Sequence, residues 1–334
     1  MNIIIPMAGL GKRLRPHTLT TAKPLIPIAG KPMVHRLVED IAKVSPEKIK
    51  RIGFIVHPNF GKQVEDDLKA VAKAVGAEGK IYYQEQALGI SHALLFAKEL
   101  FNGKVIVAFA DTLFKADFKL DTSRDGTIWV QKVDNPSQFG VVKLNERGEI
   151  VELIEKPSTF VSDLAIIGIY FFKKGEALRD EMQYLIDNNI KEKGEFQLTS
   201  ALENMKKNGA VFIPGQVKEW LDCGNKEAVI QTNQRYLEFI KDQPLISSKA
   251  KLINSVIIPP VFIGEEAVIE NSIIGPHASI GGYTNIRDSR VSNSIIQRNC
   301  SISNAILHNS LLGNFVNFKG KSEDLSLGDY STSS

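Results

Sequence analysis

The sequence predicts an α/β architecture, a mixed but mainly parallel sheet flanked by helices, joined to a C-terminal left-handed parallel β-helix. Three observations predict it. Apolar runs of strand length alternate with stretches whose apolar residues recur at three and four, the pattern of a parallel sheet covered on both faces. A joint carrying Pro and Ser, Gln243 to Ser248, ends that texture. Beyond it isoleucines return every six residues, at Ile257, Ile263 and Ile269 and again at Ile274, Ile280 and Ile286.

Taken in chain order, Ile3 to Ile5, Ile52 to Val56, Ile81 to Tyr83 and Val105 to Ala110 read as buried strands, and Val34 to Ile41, Val64 to Val75 and Ser91 to Leu100 as the helices between them. Ligands of such a sheet sit at the carboxyl ends of its strands. Thr127 to Val133, Gly140 to Leu144, Ile150 to Glu155 and Ala165 to Phe172 follow as strands without intervening helices, so the sheet becomes mixed there. Helical spacing returns at Ala177 to Asn188, Gln197 to Lys207 and Lys226 to Ile240. After the joint, Asn-Ser followed by two aliphatics occurs at Asn254, Asn271, Asn293 and Asn309. One inward aliphatic per side of a triangular coil, unable to bury its face without a neighbouring coil, gives the β-helix. The expected division is 1–242 as one domain, 251–318 as the β-helix, and 319–334 as a loose polar tail.

A chain of 334 residues with 43% hydrophobic composition exceeds the roughly 100 to 200 residues of one domain and can bury two cores. The formal charge is only +3 with both signs interspersed, which gives no stripe for a nucleic acid. Small anionic substrates stay open. The two cysteines, Cys223 and Cys300, are far apart and lack Cys-x-x-Cys spacing, which disfavours a disulfide framework or thiolate metal site and fits a reducing compartment. Met1 to Met7 is too short for a leader's apolar core, and no window reaches membrane-spanning length, so a cytoplasmic protein without a membrane partner is expected.

The first strand ends in Pro6-Met7-Ala8-Gly9-Leu10-Gly11-Lys12-Arg13-Leu14-Arg15-Pro16, a glycine turn loaded with cations where an open sheet binds its ligand. A dinucleotide fingerprint fails because Leu14 stands where its third glycine belongs, and a P-loop fails because no Ser or Thr follows the lysine. Two readings survive. One is a triphosphate cradle in which Arg13 holds the leaving pyrophosphate while Lys12 or Arg15 adds positive potential; the other is a glycine turn with solvated cations. Lys23-Pro24-Leu25-Ile26-Pro27 and Lys31-Pro32-Met33 then set two lysines beside backbone-fixing prolines.

The run from Ala8 through Met33 resembles the opening signature of the sugar-1-phosphate nucleotidyltransferase family, which includes glucose-1-phosphate uridylyltransferases and thymidylyltransferases and mannose-1-phosphate guanylyltransferases. Gln84-Glu85-Gln86-Ala87-Leu88-Gly89, Ala110-Asp111-Thr112, Phe139-Gly140-Val141-Val142, Glu155-Lys156-Pro157 and Trp220-Leu221-Asp222-Cys223-Gly224 extend it in the family's order over nearly all of the first 240 residues. The resemblance implies a Rossmann-like catalytic domain that joins a nucleoside triphosphate to a sugar 1-phosphate and releases pyrophosphate. It implies Mg2+ on Asp111 and Asp222, where hard carboxylate oxygens suit the ion; either aspartate alone reads equally as a strand-end cap. Arg13, Lys23 and Lys156 match phosphate-gripping cations. Ala8, Gly9, Leu10, Gly11 and Lys12 would form the nucleotide loop, and Gln84 and Gly89 match positions beside the base, although an ordinary strand-to-helix turn also explains that pair. Gly140 and Glu155 would face the sugar, with Asp163 and Glu195 as further candidates; Gly140 equally fits a bulge.

Lys12 stands where the uridylyltransferase-like loop has threonine, which leaves the base open; glucose 1-phosphate with dTTP or UTP is the expectation, and a mannose-1-phosphate guanylyltransferase the alternative. Two further readings compete. The β-helix carries His277 and His308, as an acyltransferase using coenzyme A would, and a noncatalytic nucleotide-sugar sensor would keep the fold but lose a metal aspartate, whereas both are present. Exposed coil edges make a homo-oligomer through the β-helix plausible.

Overall fold

The computed structural model describes residues 1–116, 119–321, 326 and 328. Its contacts divide the chain into two units, Met1–Ile26 with Pro32–Gly224, and Pro27–Lys31 with Asn225–Ser334.

The first unit is organised by β1 (Asn2–Pro6), whose Ile3, Ile4 and Ile5 are fully buried. Such a run has no polar face to show water and must lie in the middle of a sheet. It pairs in parallel with β2 (Arg51–Val56) on one side and β4 (Val105–Ala108) on the other, and β3 (Glu78–Tyr83) extends the parallel set beyond β2. Helices α1 (Met33–Val44), α2 (Lys62–Ala74) and α3 (Ile90–Leu95) lie between these strands in sequence. The sheet then turns mixed, as expected from the strand run after Thr127. Following β5 (Thr112–Lys115) and β6 (Gly126–Lys132) come β7 (Gly140–Leu144), β8 (Ile150–Glu155) and β9 (Leu164–Phe172), and β9 runs antiparallel to β4, β6 and β7. Helices α4 (Gly175–Asp187) and α5 (Leu198–Lys207), strand β10 (Phe212–Gln216) beside β6, and β11 (Glu219–Asp222) complete the unit. The main sheet has nine strands.

Two sequence expectations need correction. The run Val105 to Ala110 is not one strand: it breaks after Ala108, because the Phe109 N–H turns to donate to Gly168 O at 2.8 Å and Thr112 Oγ1 donates to Ile167 O at 2.7 Å. Those acceptors sit where the β9 register shifts between Ile166 and Tyr170, a bulge that needs the positive φ of 83° at Gly168. The helix expected over Ser91 to Leu100 ends at Leu95 and is followed by a 3₁₀ turn, Lys98–Leu100.

The second unit begins with α6 (Lys226–Phe239), capped by the Asn225 side chain accepting from Ala228 N at 2.9 Å. Beyond it the chain winds into three parallel ladders of five, four and four short strands, a parallel β-helix. Ile263, Ile269, Ile274, Ile280, Ile286, Val291, Ile296 and Ile302 fill its axis, all at most 1% exposed, joined by the buried Cys300. The structure explains the Asn-Ser repeat. Asn254, Asn271, Asp288 and Asn304 stack at one corner, and Asn293 and Asn309 at another, all with positive φ. Their side chains bond along the stack, Asn254 Nδ2 to Asn271 Oδ1 at 2.9 Å and Asn293 Nδ2 to Asn309 Oδ1 at 2.6 Å, partners 17 and 16 positions apart. Ser255, Ser272, Ser289 and Ser294, which follow these corners, each donate to a carbonyl two residues back and accept the backbone N–H of the next coil, as Ser272 Oγ does with Glu270 O at 2.7 Å and Ser289 N at 3.1 Å. The repeat therefore marks two corners of one coil. Lys319 closes the last strand, Asn317–Lys319, and most of the expected 319–334 tail lies outside the described residues.

Candidate active site

A cavity of about 550 Å³ opens at the carboxyl ends of β1, β2 and β3, where the doubly wound topology places a ligand. Its floor is the glycine loop. Gly11 has φ 57°, and a Cβ there would meet Lys23 Cβ and the Thr18 methyl at 3.0 Å, so the turn closes only around a bare α-carbon. Thr18 Oγ1 donates to Gly11 O at 2.8 Å and fixes the turn from outside, while the fully buried Leu14 anchors the 3₁₀ turn Lys12–Leu14. Ala8, Gly9, Leu10, Gly11, Lys12 and Arg13 all line the cavity; Arg15 is not among its lining residues.

Lys23 enters from a second 3₁₀ turn, Lys23–Leu25, pinned by the buried Pro24, and its Nζ lies 2.6 Å from Asp111 Oδ2. Asp111 occupies the turn between β4 and β5 that the β9 bulge holds. Asp222 ends β11, which pairs antiparallel with β5 so that Asp222 stands opposite Thr112, and Cys223 N donates to Asp111 O at 3.0 Å. This short ladder makes neighbours of two carboxylates far apart in sequence. Burial, then the Asp111 charge, pushes the Asp222 carboxyl above its usual range, against the Gly224 N–H, Lys23 and Arg13, which favour the anion. Gly224 is a close-approach glycine: a Cβ there would lie 2.8 Å from Asp222 Oδ2 and 3.2 Å from Arg13 Nη2. The candidate metal aspartates thus meet with Arg13 and Lys23 at one corner. Among the described residues no group of three or more His, Cys, Asp or Glu is placed to hold a metal, so these two carboxylates would supply only part of a ligand set.

The far wall comes from β3. Gln84, 8% exposed, donates from its backbone to Val56 O at 2.9 Å and from Nε2 to Gln86 O at 3.1 Å. Gly89 has φ 114°, and a Cβ there would fall 2.6 Å from Phe196 N and O, so its glycine identity is demanded by the chain's own packing. Glu195 lines the cavity; Asp163 instead pairs with Lys132 at 2.9 Å.

Gly140, Glu155 and Lys156 form a second group that does not line this cavity. Gly140 opens β7 opposite Glu155, the last residue of β8, and a Cβ on it would meet Glu155 Oε2 at 3.0 Å. Lys156 Nζ lies 3.6 Å from Glu155 Oε1, and Lys193 Nζ donates to the Glu155 and Lys156 carbonyls at 2.8 and 2.7 Å. Phe139, beside Gly140, packs edge-on against Trp220 of β11 with ring centroids 5.1 Å apart, tying this group to the strand that carries Asp222. Sequence reasoning missed Lys193, although it stands two residues before Glu195, and missed His57, which lines the cavity directly after β2. The signal for His57 was its place at the carboxyl end of a parallel strand.

Comparison with known proteins agrees with this architecture. Residues 2–238 match the family described as Nucleotidyl transferase. A glucose-1-phosphate thymidylyltransferase of Streptomyces antibioticus is 32% identical over 349 aligned residues, covering 95% of this chain and 93% of the relative. The bifunctional protein GlmU of Methanococcus vannielii is 30% identical, covering 95% of this chain and 79% of its own length. Among solved structures, a Bacillus anthracis protein assigned as a glucose-1-phosphate thymidylyltransferase, in complex with sucrose, aligns with TM-score 0.60 and 25% identity over 70% of this chain and 94% of that one. With the family's sheet, its glycine loop and its order of motifs all present, the chain belongs to the nucleotidyl transferase family and is an enzyme of sugar-phosphate nucleotidyl transfer.

Proposed function

We propose that this enzyme joins glucose 1-phosphate to dTTP or UTP, releasing pyrophosphate, with Mg2+ held by Asp111 and Asp222. The observation that carries the reading is the β5–β11 ladder, which sets Asp222 beside Asp111, Arg13 and Lys23, the last three of which line the glycine-walled cavity.

The donor set suits the ion. Two partly buried carboxylates, one raised in pKa by burial and then by the charge of the other, would be relieved by a divalent cation, and their hard oxygens suit Mg2+. When bound, the ion supplies charge neutralisation to the reacting phosphates. The remaining work falls to the chain. The Ala8–Gly11 backbone and Lys12 hold the triphosphate, and Arg13 stabilises the pyrophosphate as it leaves. Lys23, seated against Asp111, turns to the α-phosphate. Lys156 grips the sugar's phosphate, with Lys193 fixing the Glu155–Lys156 backbone, while Gly140 and Glu155 meet the sugar hydroxyls. A phosphate oxygen of the sugar 1-phosphate, already anionic, attacks the α-phosphorus; the new O–P bond forms as the bond to the β-phosphate's bridging oxygen breaks, and its electron pair leaves with pyrophosphate. No proton need be removed, so positioning and charge account for the catalysis.

The reading assigns 1–242 to catalysis and 251–318 to assembly or regulation. Cys223 and Cys300 are buried and outside any disulfide, which fits a reducing cytoplasm, and among the described residues no helix is long and apolar enough to cross a membrane. Acyl transfer in the β-helix finds less support: His277 Nε2 is engaged by Glu238 Oε1 at 2.7 Å and His308 Nδ1 by Ser292 Oγ at 2.9 Å. The test is pyrophosphate release with Mg2+ across the common nucleoside triphosphates and hexose 1-phosphates. Glucose 1-phosphate with UTP or dTTP should give the highest kcat/KM, and Asp111→Ala should lower kcat by about 10³-fold or more. A higher kcat/KM with GTP and mannose 1-phosphate would overturn the substrate assignment.

A further inference from the structure

We propose that His57 reads the nucleobase, donating from Nε2 to a ring carbonyl while Gln84 accepts the neighbouring imide N–H; this rests on the nucleotide site above and adds a residue that selects its base.

Register places the residue. β2 lies between β1, where Pro6 pairs with Ile55, and β3, where Tyr83 pairs with Val56. One residue beyond the end of β2, His57 therefore stands between the glycine loop that follows β1 and Gln84 that follows β3, and all three line the same cavity. Its tautomer is set by the backbone. The Asn59 N–H donates to His57 Nδ1 at 3.2 Å, and since a backbone N–H can only donate, Nδ1 carries the lone pair and the ring proton of the neutral imidazole is on Nε2. No protein partner of Nε2 is found among the described residues. Gln84 is oriented in the same manner. One of its two Nε2 hydrogens goes to Gln86 O, which fixes the orientation of the amide and presents Oε1 as an acceptor.

The register that pairs Val56 with Tyr83 puts His57 and Gln84 at neighbouring positions, and an acceptor beside a donor complements an N–H flanked by a carbonyl, the edge of uracil and thymine. Cytosine presents the reverse order, a ring nitrogen lone pair beside an amino group, and so does adenine; each would set donor against donor and acceptor against acceptor. A site built to hydrogen-bond one pattern rejects the other strongly, because its own groups are left unpaired. Guanine offers the same order as uracil, so ring size rather than this pair separates them.

The experiment is equilibrium binding of UTP, dTTP and CTP to the full chain with Mg2+, using wild type, His57→Asn and His57→Gln. Asparagine keeps an acceptor near Nδ1 for the Asn59 N–H but has nothing at Nε2, whereas glutamine carries an amide nitrogen near Nε2. Wild type should bind UTP or dTTP at least about 30-fold tighter than CTP. His57→Asn should reduce that ratio about tenfold or more with little change in CTP affinity, and His57→Gln should retain most of it. Equal wild-type affinities for UTP and CTP, or an unaltered ratio in His57→Asn, would overturn the proposal. Pyrophosphate release by the same proteins separates the two readings. Turnover with an unaltered ratio removes only the role of His57, while absence of both turnover and triphosphate binding removes the reaction and His57's role together.

Discussion

Asp222 shows what the site asks of a single side chain. Burial and the Asp111 carboxylate raise its pKa, so folding favours the neutral form and the anion is an unfavourable occupant of an otherwise stable corner. Because the folded value lies above the unfolded one, the residue's contribution to stability is present below the ordinary carboxylate range and is lost as pH rises through the raised value. Metal-free Asp222→Asn should therefore melt higher than wild type at neutral pH, and the gap in Tm should close as the solution is acidified; a gap independent of pH would contradict this origin. A bound cation needs the anion, so apparent Mg2+ affinity should weaken on acidification, titrated by the Mg2+ dependence of turnover, beginning above the pH at which an ordinary carboxylate protonates. Gly89 makes the opposite demand, for the absence of a side chain. At φ 114° and with Phe196 backbone atoms 2.6 Å from where a Cβ would sit, Gly89→Ala should cost about 2 kcal/mol or more, read by denaturant unfolding, and should raise the KM for nucleotide.

At the scale of elements, how much the sequence discloses depends on whether a structural cause is local. The alternation of strands and helices, the glycine loop and the isoleucine period are local, and the parallel core and the β-helix axis fall where they point. The break after Ala108 is not, since its cause is a bulge in β9 that nothing near Val105 announces. β10 carries Pro214 and Gly215, residues that argue against a strand, and it was missed, yet it pairs along β6 from Gly126 to Val130. Asp111 and Asp222 were legible as motifs, but their juxtaposition depends on β5 meeting β11, a long-range pairing with no periodic signature. Lys193 and His57 were illegible because single polar residues acquire meaning only from neighbours the fold supplies. The corner serines of the β-helix give a testable case of a local signal with a distant effect. Ser272→Ala deletes the Oγ that accepts Ser289 N, leaving a buried N–H of the next coil unpaired, and should cost about 1 to 3 kcal/mol, measured by denaturant unfolding of the intact chain.

The whole molecule is not two consecutive stretches of chain. Pro27–Lys31 is flanked on both sides by residues of the first unit, yet its contacts place it with Asn225–Ser334. There Ala29 N donates to the fully buried Asn233 Oδ1 at 2.8 Å, and a Cβ on Gly30 would fall 2.2 Å from the Phe262 ring. A chain cut after residue 242 keeps Asn233 but removes Phe262 from Gly30, and should lose solubility or thermal stability rather than yield a free-standing catalytic domain, which gel filtration and melting of the truncated protein would show; a monodisperse, fully active fragment would refute this. The same arrangement governs biosynthesis. On the ribosome Pro27–Lys31 emerges long before α6 and the coils it belongs with, an interval of roughly 10 to 40 seconds at ordinary elongation rates. Throughout that wait Ile28 and the Ala29 N–H, both sequestered in the finished protein, stand open to other chains. Completion of the N-terminal region is thereby deferred to the last third of translation, so a prematurely terminated product is left defective at its beginning as well as at its end.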